Sequence, residues 1–126
     1  KLSKSIIKKY KVKKCNIVGH SDIAYNRKKD PGEKFPWKLI SKHKIGIWHN
    51  LKKNKLIKKR REKLSNSGNQ EFLKKLSKIG YFVEKKSILK RKNLIIAFQR
   101  RFRPALINGK SDGECLIIAN KLSKLT

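Results

Sequence analysis

The run Gly19-His20-Ser21-Asp22-Ile23-Ala24-Tyr25-Asn26-Arg27-Lys28-Lys29-Asp30-Pro31-Gly32 brings an imidazole, carboxylates and several cations into one short stretch. His20 follows Cys15-Asn16-Ile17-Val18 and Gly19; that β-branched segment reads as a short strand, whose end would hold an imidazole in place. Asp30 stands ten residues further on, followed by Pro31, in a loop able to fold back. Imidazole and carboxylate are natural Zn²⁺ ligands, at about 2.0–2.2 Å each. Zinc with one open position lowers the pKa of its bound water to about 7 and polarises a carbonyl oxygen. Lys28 can bring a cation to that carbonyl as it becomes an oxyanion. One His and one Asp also suit ordinary loop hydrogen bonding, and the pair alone leaves both readings open.

The elements that must position this run follow from pattern. Leu2, Ile6, Ile7 and Tyr10 fall on one stripe and predict a helix over 2–10. Asp30-Pro31-Gly32 and Phe35-Pro36 predict an ordered loop over 21–36, because proline holds the residue before it extended. A short helix over 37–43 follows, entered at Pro36. A helix, a strand and a loop cannot bury enough surface to stand alone, and a strand needs neighbours for its backbone groups. Residues 1–50 therefore read as the back end of a larger mixed domain. Residues 51–69 read as a basic linker with one solvated helical stretch, ending in the turn-forming Ser65-Asn66-Ser67-Gly68-Asn69.

Residues 70–126 predict three helices. Phe72, Leu73, Leu76 and Ile79 make the first stripe, stopped by Gly80. Ile88, Leu89, Ile95, Phe98 and Phe102 make the second, ending near Arg103-Pro104. Ser111-x-x-Glu114 reads as a capping box opening the third, through Ile118, Leu122 and Leu125. The expected fold class is α+β: a mixed remnant followed by a small three-helix bundle.

Composition bounds the rest. Against 36 Lys and Arg stand 8 Asp and Glu, a formal charge of +28. The lysines run the whole length, whereas nucleic-acid readers concentrate charge, often as Arg, on one face. Lysines filling solvated positions and a polyanion footprint both remain open; either way the field attracts polyanions at low salt. No apolar run approaches the roughly 18 residues of a membrane helix. Cys15 and Cys115 cannot make a disulfide scaffold and read as small buried apolar residues.

The pattern GHSDIAxxRKxDPGxxFPW, from Gly19 to Trp37, resembles the zinc-binding end of N-acetylmuramoyl-L-alanine amidases of the AmiD/AmpD type. Leu76-x-x-Ile79-Gly80-Tyr81, the run from Ile96 to Pro104, and Asn108-Gly109 resemble the peptidoglycan-binding module that follows the catalytic domain in some members. The resemblance implies a zinc-dependent hydrolase cutting the amide between N-acetylmuramic acid and L-alanine. His20 and Asp30 take the place of two of its three protein ligands, and Lys28 that of the lysine stabilising the tetrahedral intermediate. Arg27, Trp37, Gln99 and Arg103 are candidate substrate contacts; packing for Trp37 and Trp48, and a solvated helix face for Gln99, Arg100, Arg101 and Arg103, remain the plain alternatives. The family's other histidine ligand and its catalytic glutamate lie upstream of this motif, so the chain is expected to be inactive without an N-terminal half. His43 and His49 fall after the motif and read as surface or loop residues. Tyr25 replaces the family's usual proline, which predicts a less rigid loop.

On this reading residues 1–50 are the C-terminal portion of the catalytic domain, 51–69 a linker and 70–126 a peptidoglycan-binding-like module. The expected partners are peptidoglycan or muropeptide and the N-terminal half, with no specific nucleic acid. The expected compartment is the cell envelope, periplasmic, with lipid attachment upstream or a cytoplasmic location as alternatives. A non-catalytic wall-binding module is the second reading. A basic nucleic-acid-binding protein is the third; it accounts for the charge but not for the Gly19–Trp37 pattern.

Overall fold

The back half of the chain folds where its apolar stripes lie. In this computed structural model, which describes residues 2–84 and 86–126, the elements are α1 (Leu2–Tyr10), α2 (His20–Ile23), α3 (Trp37–Ser41), α4 (Lys53–Lys59), α5 (Asn66–Ile79), α6 (Ile88–Phe102) and α7 (Gly113–Ser123). Phe72 and Leu76 from α5, Leu94, Ala97, Phe98 and Phe102 from α6, and Ile118 and Leu122 from α7 share one buried core. Phe98 lies at its centre, edge-on to Phe72 at 5.3 Å between ring centroids. Each large side chain so buried contributes about 1.5–3 kcal/mol relative to exposure.

The helix ends are chemically explicit. Ser65 caps α5 by accepting from the Gly68 N–H, so residues 65–69, expected as turn material, supply the cap and first turn of a helix. Gly80 closes the same helix at φ 124°, a left-handed conformation that suits glycine. The capping box expected at Ser111 is displaced by one residue. Asp112 is the N-cap, accepting from the Cys115 N–H at 2.9 Å, while the Ser111 hydroxyl donates to Asn69. Glu114 is drawn away by arginines: Arg60 grips both its oxygens at 2.9 and 3.1 Å, and Arg103 adds a bond of 2.9 Å.

The front half departs from expectation at the strand. Residues 14–16 form a 3₁₀ turn and Ile17 is extended, with no strand among the described residues. Among the described residues the one isolated β-bridge lies elsewhere, between Lys63 and Asp112. A strand requires a partner for its hydrogen bonds; here the Ile17 carbonyl accepts from Arg101 Nη2 at 3.0 Å instead. The described residues are therefore helical rather than α+β. The expected loop over 21–36 likewise begins with the single helical turn of α2. Helix α1 forms as expected but buries nothing, leaving Leu2, Ile6 and Tyr10 exposed.

Front and back are joined from the same core. Tyr25 and Ile47 pack into the cluster around Phe98. Residues 51–69, expected as a linker, hold α4 and attach to the start of α7, where the Gly113 N–H donates to the Glu62 carbonyl at 2.8 Å. The deepest join is ionic. Asp22 Oδ2 accepts from Arg101 Nη1 at 2.7 Å and from the Gly19 N–H at 2.9 Å, while Oδ1 accepts from the Tyr81 hydroxyl at 2.5 Å. The Arg101 guanidinium also lies 4.0 Å from the Trp37 ring centroid, a cation–π contact.

His49, expected at the surface, is buried between Trp48 and the chain turn, with Nδ1 accepting from the Leu51 N–H at 3.1 Å. Burial pushes its pKa down to about 4.

Two outcomes follow for stability. Replacing Arg101 by Met strands a buried carboxylate and is expected to cost about 3–5 kcal/mol in denaturant unfolding. Adding Asp22→Asn should recover part of that loss; strict additivity of the two changes would refute the pairing. For His49, the unfolded imidazole takes up its proton near pH 6.5 and the folded one near 4. Between those values the unfolded state binds more protons, so stability falls as pH drops from 6.5 towards 4, by about 3 kcal/mol at most. His49→Asn keeps an acceptor for Leu51 and should flatten that decline in thermal unfolding across the pH range; an unchanged slope would exclude a neutral buried imidazole.

Candidate functional site

His20 is the first residue of α2, immediately after Gly19. The loop returns to it through the backbone: the Ser21 N–H donates to the Asp30 carbonyl at 2.9 Å. Pro31 then packs directly on Gly19, where a Cβ would stand only 2.4 Å from the proline Cδ. Glycine is needed at position 19 for that close approach. The result is that His20 Nδ1 and Asp30 Oδ2 lie 2.7 Å apart, with side chains 70% and 65% exposed. The hydrogen bond from His20 holds the Asp30 carboxyl below its ordinary pKa, with a smaller contribution from the Lys28 cation. Beneath this solvent-facing pair lies the buried Asp22–Arg101 join, so the loop rests on a rigid floor.

An imidazole nitrogen and a carboxylate oxygen side by side and open to solvent are a fitting donor pair for zinc. A catalytic zinc takes three protein ligands, and the described residues contain no cluster of three His, Cys, Asp or Glu able to hold a metal.

The other candidates divide clearly. Lys28 and Arg27 are exposed on the same loop, both backbone N–H groups donating to the Ala24 carbonyl, at 2.8 and 2.9 Å. Trp37 is buried beneath Arg101 and offers no open face to a sugar ring. Gln99 is fully buried: its amide nitrogen donates to Asn108 Oδ1 and the Lys110 carbonyl, and its oxygen accepts from the Asn108 and Gly109 N–H groups. Arg103 is buried between Asp112 and Glu114, at 2.7 and 2.9 Å. These three side chains are committed to the architecture and present no free surface to a substrate. His43 is exposed and Trp48 half-buried. Tyr25, expected to loosen the loop, instead anchors it, its buried hydroxyl donating to the Phe82 carbonyl at 2.7 Å. Cys115 is buried, its thiol pushed up to about 12 chiefly by burial, whereas Cys15 is half-buried.

Sequence reasoning missed Asp22, Tyr81 and Arg101 as the support of the site. A signal existed for Arg101. Leu94, Ala97, Phe98, Arg101 and Phe102 keep three/four spacing, which places the arginine on the buried stripe of α6. A cation there requires a buried anion, and Asp22 is one of the few carboxylates available.

No protein-family model matches the chain. N-acetylmuramoyl-L-alanine amidase AmiD of Escherichia coli (strain K12) is 36% identical over 122 residues, which are 96% of this chain and 44% of that protein. Among solved structures, a complex of E. coli AmiD with the substrate anhydro-N-acetylmuramic acid-L-Ala-D-γ-Glu-L-Lys superposes with a TM-score of 0.85 at 36% identity, covering 98% of this chain and 49% of the chain in that structure. AmpDH3 from Pseudomonas aeruginosa superposes with a TM-score of 0.80 at 30% identity, covering 98% of this chain and 50% of AmpDH3. The chain thus spans about half the length of the relatives it matches. Over the part it spans, this chain is similar to AmiD in both sequence and fold.

Proposed function

We propose that the chain forms part of a zinc-dependent N-acetylmuramoyl-L-alanine amidase acting on peptidoglycan or its muropeptides. The observation that carries this reading is the 2.7 Å approach of His20 and Asp30 on a solvent-facing loop that the buried Asp22–Arg101 pair holds in place. His20 and Asp30 would hold the ion, together with a third donor from outside the described residues. Bound there, zinc would supply a Lewis acid and a water of lowered pKa.

The chain's own residues have separable tasks. His20 and Asp30 would hold the ion in place of their mutual hydrogen bond; the Asp30 carboxyl, held below its ordinary value chiefly by the His20 hydrogen bond, is ionised at neutral pH and available as a ligand. Lys28 brings a positive charge to the lactyl carbonyl oxygen as it turns into an oxyanion. Arg27, next to it and equally exposed, suits a carboxylate of the stem peptide. Ser21, Gly19 and Pro31 keep the loop folded back, so that neither donor has to be ordered on metal binding. The catalytic base lies outside the described residues. We place the protein in the cell envelope, where the amide it would cut is found; no described helix is long and apolar enough to cross a membrane.

A second reading is favoured by the incomplete donor set: a wall-binding chain without catalysis, in which residues 70–126 act as the binding module.

Turnover separates the two. The 126-residue chain with Zn²⁺ and anhydromuramyl tripeptide is expected to release no peptide, and co-purification with the remaining half of the amidase is expected to restore release. In that complex His20→Ala and Asp30→Asn should abolish both zinc retention and turnover. Lys28→Gln should lower kcat by about 10²–10³ with zinc content unchanged. Full activity of the isolated chain would overturn the expectation that a third ligand and the catalytic base come from outside it, and zinc retention unaffected by His20→Ala would overturn the ligand assignment; a complex that binds peptidoglycan without turnover would establish the second reading.

A separate outcome tests the loop. Gly19→Ala must displace Pro31, and is expected to weaken zinc retention at least tenfold while leaving helical content intact. Undiminished retention would show that the Gly19–Pro31 contact does not position Asp30.

A further inference from the structure

Lys28, the cation placed at the lactyl carbonyl, sits between two points at which the His20 loop is fastened. On one side the Asp30 carbonyl accepts from the Ser21 N–H at 2.9 Å. On the other, Ala24 closes a turn, its carbonyl accepting from the Arg27 and Lys28 N–H groups at 2.9 and 2.8 Å. Tyr25 and Asn26 are the inner residues of that turn, and neither is a proline that would fix φ locally. The stiffness of the turn has to come from distant groups.

Those groups belong to the helical half. Tyr25 is buried in the cluster around Phe98, and its hydroxyl donates to the Phe82 carbonyl, 57 positions away in the segment between α5 and α6. Burial, and then the Glu84 carboxylate, raise the pKa of that hydroxyl, so it keeps its proton and remains a donor. Asn93, on α6, donates from Nδ2 to Asn26 Oδ1 at 3.1 Å, across 67 positions. Adjacent residues of one turn are thus tied to two different parts of the back half. One bond would let the turn pivot; two at separate points fix its orientation. The Lys28 side chain is exposed, and its ammonium rides on a flexible four-carbon stem. What the fold can fix is where that stem leaves the backbone. Such placement matters, because a displacement of about 1 Å at a reacting site can cost roughly 10²-fold in rate.

We propose that Tyr25 and Asn93 are positioning residues for Lys28, so that the helical half serves the amide-cutting site as well as its own core. Neither residue touches the reacting atoms. Tyr25 acts by anchoring the turn to the Phe82 carbonyl, and Asn93 by holding Asn26, two residues before the lysine. The catalytic part of this inference rests on the amidase reading of Lys28; the tethering of the turn does not.

The first test follows amide hydrogen exchange by NMR in the 126-residue chain. Tyr25→Phe keeps the ring and removes the donor; it should speed exchange of the Arg27 and Lys28 amides about tenfold. Asn93→Ala should speed them about threefold, with the core amides of Phe98 and Leu122 unchanged. If Tyr25→Phe also loosens those core amides, Asn93→Ala decides alone, since its bond lies at the surface. Unaltered exchange at Arg27 and Lys28 in the deciding variant would overturn the tether. The second test uses the complex with the remaining half of the amidase. Both variants should lower kcat by similar factors while KM and zinc content hold. In a Lys28→Gln background neither should lower kcat further, because the group they place is gone. Equal losses with and without Lys28, or a rise in KM at constant kcat, would overturn the positioning role. A wild-type complex without turnover would remove the amidase reading and the catalytic role together, whereas faster exchange at Arg27 and Lys28 would still establish the tether.

Discussion

A single buried ion pair governs how this chain presents its chemistry. Asp22 and Arg101 stand 79 positions apart in sequence, yet meet at 2.7 Å with both side chains only 5% exposed. Neither is tolerable alone in that environment, since an unpaired buried charge costs several kcal/mol. The pairing therefore fixes α2 against α6. Tyr81 and the Gly19 amide complete the carboxylate, Trp37 covers the guanidinium, and Ile17 gives it a carbonyl. The exposed His20 and Asp30 are held in place from below by groups that never touch solvent.

The same logic organises the opposite end. Asp112 and Glu114 open α7 and are buried there by Arg103 and Arg60. The Asp112 carboxyl stays below its ordinary range: backbone donation from Cys115 and the Arg103 contact outweigh a burial that acts the other way. Arginine and lysine divide the labour. Arg60, Arg101 and Arg103, with planar forks suited to carboxylates, make the buried pairs, while most lysines lie exposed. The large positive charge is thus mainly a surface property, and the arginines, few as they are, carry architecture.

These two ionic knots join segments that look separable in the sequence. Residues 51–69 have the composition of a linker, but Arg60, Arg61 and Glu62 are fastened to the start of α7. Tyr25 and Ile47 from the front share a core with Phe98 from the back. Motion of the His20 loop relative to the helices would have to break buried contacts rather than bend a connector.

Local pattern is enough to read α1, the entry to α3 after Pro36, the Gly80 stop and the span of α6, because three/four spacing, proline and glycine act within a few residues. The closeness of His20 and Asp30 is also legible, from a proline-pinned loop beginning at a glycine. Tertiary structure alone decided that residues 15–18 are not a strand, because a strand exists only with a partner. It alone decided that Gln99, Arg103, Glu114 and His49 are interior: a polar side chain is buried only if distant groups satisfy it, and those groups are set by the fold rather than by neighbouring residues.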